Sequence, residues 1–563
     1  MKRLPMSFVH TTPAPRFAGN PVRWLFDSQA GQRRGIAARW VFLRALAAIY
    51  FSAFYPLVFQ IEGLNGPLGI LPAQRFLVAV QSEAGSLRYW YAPTLFWLSS
   101  GRHMMMAVIW LGLIASITAF LNLWPRLSFF VCLACFLSFV TAAQEFSSYQ
   151  SDSMLLEAGF LALFFAPRGL RPGWGIAHPP SRASLFLLQW EWFRIYFESG
   201  LVKLLSGDPE WRNFTAMDEY YQNGPLPTWI GWYVEHLPHW FHAATVAATL
   251  GMELAVVWMF FFPRRVRYIC FCIVTPWEIG VILTANYTFL NYLVLALGFL
   301  LLDDRDIRTH LPAWVRAKLP EIQLEVVAPP EIGAFAIPQD PREGREEVRA
   351  TIRGAAGLFN TARLSVATFM LSWIGYATTV EMIHIPWPAL PLPSTPAVAL
   401  EPFRIANQYG LFAVMTRGRY EIEFQGSNDG THWIGYPFRY KPQALDKAPG
   451  IYAPYQPRFE WNLWFASLGD WRENNFVPLT EKRLLENDPD VLDLFRSDPF
   501  GPTPPRYVRA VLWQYRFTSM KERRRTGNWW RRDLMGLYAP ELTRQQDGQF
   551  TVIEWPDELP PHN

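Results

Sequence analysis

Long apolar runs separated by short polar loops fill the first half of the chain. A membrane-spanning helix needs about 20 mostly apolar residues, and most of the runs reach or approach that length. The pattern therefore predicts an α-helical multi-pass membrane bundle of about nine spans, in which the short run at 153–166 also fits a re-entrant or buried helix. The runs lie near 39–61, 104–123, 127–144, 153–166, 183–205, 240–262, 266–283, 285–302 and 361–384.

The pattern changes to alternation beyond a proline-rich connector at 386–396. Apolar and polar residues alternate over 420–424, which is typical of a half-buried strand. Asn428-Asp429-Gly430 predicts a hairpin turn directly after it. We expect another strand at 506–517 and a basic, Trp-bearing helix or turn at 521–532. The bundle is thus followed by a mostly β, sandwich-like soluble C-terminal domain.

Two short helices are also expected in that domain, over 481–496. Pro489 divides this stretch because proline disrupts a helix interior. Together the patterns divide the chain into five segments. They are a cytoplasmic N-terminal arm (1–38), a multi-span membrane domain (39–302), a charged, proline-containing cytoplasmic linker (303–360), a last span (361–385) and a β-rich domain (386–563).

Basic residues mark alternate loops of the bundle. They occur in the N-terminal arm, at Arg126, within 168–182 and within 264–267, whereas 145–152 has none and 206–239 is acidic. Lysine and arginine favour the cytoplasmic side of short loops. With nine spans this rule places the N-terminus in the cytoplasm and the β-rich domain on the lumenal or periplasmic side.

Composition is typical of a membrane protein and argues against a nucleic-acid-binding protein and against a disulfide-stabilised protein. Hydrophobic residues make up 51% of the chain and charged residues 17%, against about 25% charged residues in a soluble protein. Membrane lipid is therefore an expected partner. Net charge is only +4 with dispersed basic residues, so nucleic acid is not expected as a partner. The four cysteines lie in apolar runs, so no disulfide framework is implied.

The run at 185–205 carries charged residues that a lipid-facing helix avoids. Glu191, Arg194 and Glu198 share one helical stripe, and Lys203 lies off it. A charge inside a bilayer costs a few kcal/mol or more, so such groups face the bundle interior and pair. Arg194 and Glu198 have the spacing of an intrahelical pair. With acids in two later runs they form the candidate intramembrane polar cluster: Glu191, Arg194, Glu198, Lys203, Glu253 and Glu278.

The polar cluster has two interpretations, a structural clasp between helices or a reaction or transport site. No standard catalytic motif accompanies it. We therefore assign no catalytic residue, no metal and no cofactor. In the C-terminal domain, Trp529, Trp530 and Arg531 are candidate client-binding residues, because aromatic and arginine side chains usually dominate protein interfaces.

Several sequence blocks resemble the lipase maturation factor family of multi-pass membrane proteins. The signature-like block SGLVKLLSGDPEWRNFTAMD begins at Ser199 and runs into the loop before the next span. In the same order as in the family follow TANYTFLNYL (284–293), NQYGLFAVMT (407–416), PPRYVRAVLWQYRF (504–517) and RRTGNWWRR (524–532). The family-motif outer loop includes Gly207, Asp208, Trp211, Arg212, Thr215 and Asp218.

The resemblance implies a non-enzymatic membrane protein that assists the folding and assembly of secreted dimeric lipases. It implies the endoplasmic reticulum membrane with the C-terminal domain in the lumen. In a bacterium the equivalent place is the inner membrane, with the domain in the periplasm. The membrane part is also weakly similar to the transmembrane domain of vitamin K-dependent carboxylase. The alternative is therefore a membrane-embedded enzyme using Lys203 and the buried acids.

Overall fold

A computed structural model describes residues 20–27, 35–147, 149–310, 316 and 343–557. Most of the predicted N-terminal arm and the middle of the predicted linker lie outside these residues. The α-helices are Pro21–Phe26, Ile36–Phe54, Leu57–Asn65, Ala73–Ala84, Arg88–Tyr91, Arg102–Phe120, Pro125–Ala142, Gln150–Phe165, Arg182–Leu205, Pro209–Arg212, Tyr220–Asn223, Trp229–Glu235, His239–Leu254, Arg264–Thr284, Leu290–Gly298, Asp304–His310, Glu343–His384, Thr395–Val398, Arg458–Ala466, Phe476–Leu485, Pro489–Leu492 and Met520–Thr526. Short 3₁₀ helices are Gly85–Leu87, Leu95–Trp97, Gln144–Ser147, Val256–Phe261, Phe299–Leu301 and Glu401–Phe403.

Among the described residues, six helices are long and apolar enough to cross a membrane. The predicted count of about nine is therefore not confirmed. Helix Gln150–Phe165 is too short at 16 residues, and Leu290–Leu301 is shorter still. Helix Arg182–Leu205 is long enough at 24 residues but carries too many charges. The six are Ile36–Phe54, Arg102–Phe120, Pro125–Ala142, His239–Phe261, Arg264–Thr284 and Asn360–His384.

Helix Arg182–Leu205, here called the central helix, is enclosed by the rest of the bundle. Its N-terminus is capped by the Ser181 hydroxyl, which accepts a hydrogen bond from the Ser184 amide at 3.2 Å. It packs against Gln150–Phe165, His239–Leu254 and Leu290–Gly298. A helix buried on all sides needs polar partners from its neighbours for every charge that it carries.

The described part of the C-terminal domain forms one sheet. The strands are β1 Arg419–Ser427, β2 Ile434–Gly435, β3 Tyr507–Phe517, β4 Trp530–Leu537, β5 Glu541–Arg544 and β6 Phe550–Glu554. They pair antiparallel in the order β2-β1-β3-β5-β6, and β4 also pairs with β3. Helix Phe476–Leu485 packs on β3 and β5, and helix Arg458–Ala466 packs on β1. The predicted sandwich is thus not confirmed, since the described strands form a single sheet that is covered by helices.

Most of the local predictions for this domain are confirmed. The hairpin of β1 and β2 encloses the predicted turn, and β3 occupies the predicted 506–517 strand. The 481–496 stretch divides as expected, because Pro489 begins a new helix at Pro489–Leu492. The 521–532 prediction is wrong in its second half. Gly527 ends the helix in a left-handed conformation (φ 79°), and Trp530 then enters β4 opposite Phe517.

The sheet domain and the bundle are joined by buried contacts. Arg458 donates to both carboxylate oxygens of Asp152 at 2.8 and 2.9 Å, and both side chains are fully buried. The same guanidinium donates to the Phe146 carbonyl at 2.9 Å. Asn286 of the bundle accepts from the amides of Tyr452 and Ala453 at 2.7 and 3.0 Å. The helical and β regions therefore share one interior.

Candidate functional site

Arg194 lies at the centre of the buried charges on the central helix. Glu191, Arg194 and Glu198 are all fully buried, as the stripe predicts. Arg194 lies 3.9 Å from Glu198, so the predicted intrahelical pair is present. A closer partner is Glu157 of helix Gln150–Phe165, which accepts a hydrogen bond from Arg194. The cation is thus shared by two acids on two helices.

The rest of this network comes from an irregular segment far along the chain, residues 407–416, here called the inserted segment. The Asn407 carbonyl accepts from Arg194 at 2.6 Å, and the Asn407 amide group donates to Glu157 at 3.1 Å. The Tyr409 hydroxyl donates to Glu157 at 2.9 Å, and its backbone N–H donates to Glu198 at 2.6 Å. Arg194, Glu157 and Glu198 therefore each have a hydrogen-bond partner in the inserted segment.

The other members of the predicted polar cluster form separate groups. Lys203 donates to both carboxylate oxygens of Glu253 at 2.7 and 2.9 Å. Glu278 accepts from the Tyr196 hydroxyl and, at 2.7 Å, from the Asn291 side chain. Neither oxygen of Glu191 has a hydrogen-bond partner among the described residues. The six candidates are therefore several local arrangements rather than one continuous site.

The family-motif outer loop holds the far end of the inserted segment. Gly207 turns the chain in a left-handed conformation (φ 80°). Asp208 caps helix Pro209–Arg212 by accepting from the Glu210 amide at 3.0 Å, and its other oxygen accepts from the Met415 amide at 2.6 Å. The buried Trp211 indole donates to the Phe412 carbonyl at 2.9 Å. These contacts make the loop a clamp for residues 412–415.

The remaining motif residues stabilise the clamp itself. Arg212 donates to the Leu204 carbonyl at 3.4 Å. Thr215 donates to the Glu210 carboxylate, which fixes the turn that follows helix Pro209–Arg212. Asp218 lies 3.0 Å from the His239 imidazole at the start of the next span. The contacts of Arg212 and Asp218 thus attach the clamp to the end of the central helix and to the start of the next span.

The candidate client-binding residues lie partly inside the protein. Trp530 is 1% exposed and packs between Phe517, Tyr515 and the Arg419 guanidinium. Trp529 is half-buried against Trp232, whereas Arg531 is exposed. Of the three, Arg531 is therefore the residue whose side chain is exposed to a partner. Trp530 forms part of the domain core.

Sequence reasoning did not identify two further groups of buried charges. The sequence pattern places Asp152 in a loop and gives no signal at Arg458, although the two form a fully buried ion pair. A buried triad of Arg419, Glu421 and Lys441 on and beside β1 was also missed. In sequence these residues lie among ordinary polar positions, so no local signal distinguishes them.

The histidines and acids of the described residues are not arranged as a metal centre. Within the described ranges, no group of three or more His, Cys, Asp and Glu residues has the arrangement of a metal site. The histidines at 236, 239 and 242 have different partners: His236 contacts the Trp232 and Thr518 carbonyls, His239 contacts Asp218, and His242 contacts the Leu237 carbonyl. The Arg194 network instead has the geometry of a clasp that joins two parts of the chain.

The two parts that the clasp joins correspond to two known families. Residues 37–309 match the family described as Lipase maturation factor transmembrane domain, and residues 405–540 match the Lipase maturation factor C-terminal domain. No solved structure gives a significant match. The inserted segment thus lies at the start of the second family region and binds inside the first.

Full-length relatives agree with the two family matches. The chain is 32% identical to human Lipase maturation factor 2, over 90% of this chain and 82% of the relative. It is 34% identical to the chicken Lipase maturation factor 2 (90% and 81%) and 30% identical to bovine Lipase maturation factor 1 (92% and 91%). These matches give no support to the carboxylase alternative. The chain is a member of the lipase maturation factor family.

Proposed function

We propose that this protein assists the maturation of secreted lipases as a non-enzymatic, membrane-resident folding helper. The observation that carries the proposal is the similarity to Lipase maturation factors 1 and 2 along at least nine-tenths of the chain. The buried ion pairs support it, since Arg194, Lys203 and Arg458 each bind an acid on a neighbouring helix. A folding helper needs a surface, not a reactive group.

The proposed topology has about nine crossings and the β-rich domain on the lumenal or periplasmic side. The central helix packs against span His239–Phe261 and is long enough to cross, and Arg194, Glu198 and Lys203 lie beside oppositely charged groups inside the protein, which lowers the cost of burying them in a membrane. The basic loops then lie in the cytoplasm. In a eukaryotic cell the proposed location is the endoplasmic reticulum membrane, and in a bacterium it is the inner membrane.

Thr503→Cys tests this orientation in a background without the four native cysteines. Thr503 is exposed in the C-terminal domain. A membrane-impermeant thiol reagent is expected to label the variant from the outside of intact bacterial cells with a permeabilised outer membrane, or only from the lumenal side of microsomes. Labelling from the cytoplasmic side alone would show that the orientation is reversed.

The client surface is proposed to include Arg531 and the exposed edge of Trp529. Arg531→Glu should reduce capture of a co-expressed dimeric secreted lipase by about tenfold, because arginine anchors contribute 1 kcal/mol or more to interfaces and the charge is reversed. Capture is measured by co-purification, and maturation by the activity of the secreted lipase. Trp530→Ala is unsuitable because Trp530 belongs to the domain core.

Arg544→Glu is the matched control for this experiment. Arg544 is exposed on β5 of the same sheet, so the substitution makes the same charge change at a different place. Its lipase capture should equal that of the unmodified protein. If Arg531→Glu also captures lipase normally, the client surface lies elsewhere. If the unmodified protein leaves the yield of active lipase unchanged, the proposed function itself is wrong.

A further inference from the structure

A cavity of about 490 Å³ lies beside the Lys203–Glu253 ion pair, inside the bundle. Its volume falls within the roughly 300–1,000 Å³ that is typical of small-molecule sites. Spans His239–Phe261 and Arg264–Thr284 form two of its walls, and the central helix forms a third. Aromatic and aliphatic side chains dominate the lining, including Tyr196, Tyr220, Trp277, Tyr287, Leu290 and Phe412.

The cavity opens between the two spans toward the surface that a bilayer would cover. Small lining residues face this opening and are exposed, namely Ala244 and Ala248 on one span and Pro276 and Gly280 on the other. A Cβ atom added at Gly280 would meet no described atom within 4 Å. The two spans pack together at Val256–Phe261, next to the turn that connects them, whereas helix His239–Leu254 makes few contacts with Arg264–Thr284. A hydrocarbon chain therefore has a lateral path from the membrane into the cavity.

Among the described residues that line the polar end of the cavity, no cation is unpaired. Lys203 is bound by both oxygens of Glu253 and by the Ser199 carbonyl at 3.4 Å. A phosphate head group would need a positive charge that this pair does not offer. Asn291 uses its N–H₂ group to bind Glu278, and its buried Oδ1 has no hydrogen-bond partner among the described residues. The unsatisfied group at the polar end is therefore a buried acceptor, which suits an uncharged donor rather than an anion.

We propose that the cavity binds a long-chain acyl lipid whose uncharged head carries a hydroxyl group, such as a monoacylglycerol. The acyl chain lies along the aromatic wall and leaves through the opening at Gly280. The head hydroxyl donates to Oδ1 of Asn291, which satisfies the buried acceptor. The proposal goes beyond the proposed function and does not depend on it, because it concerns a site inside the bundle rather than the client surface.

Photo-crosslinking of the full chain in lipid nanodiscs tests the proposal. The probe is a monoacylglycerol with a diazirine in its acyl chain, and a phosphatidylcholine with the same chain serves as the comparison probe. The monoacylglycerol should label peptides that line the cavity. Gly280→Leu should reduce this labelling by about tenfold, because a side chain forced into an occupied site is strongly unfavourable.

Gly251→Leu is the matched control, since Gly251 also has open space at its Cβ position but does not line the cavity. Its labelling should be unchanged. Ala248→Phe, with Ala247→Phe as its own control, repeats the comparison from the other span if a Gly280 variant does not fold. Equal labelling of the blocked and control variants would overturn the proposal. Labelling by phosphatidylcholine with the same dependence on Gly280 would also overturn it.

Discussion

Arg194→Leu is expected to lower the free energy of unfolding by about 3–5 kcal/mol, because it leaves buried acids without their cation. Glu157 and Glu198 are both fully buried, and Arg194 is the cation that the two share. The loss also frees the Asn407 carbonyl. Unfolding of the purified protein in detergent micelles, followed by near-ultraviolet circular dichroism during denaturant titration, measures the change.

Paired substitutions distinguish the two acids. Arg194→Leu combined with Glu157→Leu should recover more stability than Arg194→Leu combined with Glu198→Leu, because Glu157 is the closer partner of the missing cation. Arg102→Leu is the control. Arg102 also binds an acid, Glu62, but is 57% exposed, so its loss should cost about 1 kcal/mol or less. An Arg194→Leu protein as stable as Arg102→Leu would rule out the clasp.

The same variants separate the structural interpretation of the charges from the functional one. If the double variant Arg194→Leu with Glu157→Leu recovers stability and also restores lipase maturation, Arg194 acts only as a clasp. Recovery of stability without recovery of maturation would assign the charged network a role beyond structure.

Arg458→Leu is expected to have a comparable effect at the contact between bundle and sheet domain. It leaves the fully buried Asp152 without its two-bond partner and should cost about 3–5 kcal/mol. The C-terminal domain should then separate from the bundle more often. Limited proteolysis at the proline-rich connector 386–396 should accordingly become faster, and the rate of fragment appearance measures the change.

Arg472→Leu provides the control for this prediction. Its ion pair with Asp470 is 66% and 49% exposed, so the substitution should change stability by only about 0.5 kcal/mol. Proteolysis of this variant should match that of the unmodified protein. If Arg458→Leu is cleaved by the protease as slowly as the unmodified protein, the domains are held together by contacts other than this ion pair.

Helical periodicity predicted the charged stripe correctly but not the groups that form hydrogen bonds with it. Spacing alone places Glu191, Arg194 and Glu198 on one face, and all three are buried. The partners from Asn407 and Tyr409 lie more than 200 residues away and act partly through backbone groups. Backbone groups carry no sequence signal, so this half of the site was not predictable from residue pattern.

The predicted sandwich in the C-terminal domain was not confirmed for a related reason. Alternation identifies strands but not the layer that covers them, and helices rather than a second sheet cover β1 and β3. The adjacent residues Trp529 and Trp530 were expected to act together as anchors. In an extended chain neighbouring side chains point to opposite faces, so Trp530 enters the core while Trp529 packs against Trp232.

The inserted segment also constrains the order in which the protein is made. Glu198 and Tyr409, which are hydrogen-bonded in the finished molecule, are 211 residues apart in the chain. At a synthesis rate of about 5–20 residues per second, Glu198 of the central helix is synthesised on the order of ten to forty seconds before Tyr409. A nascent or truncated chain that ends before Tyr409 therefore carries incompletely paired charges within its bundle. A folding helper of this design remains itself unfinished, and open to recognition by quality-control factors, until its last domain has been synthesised.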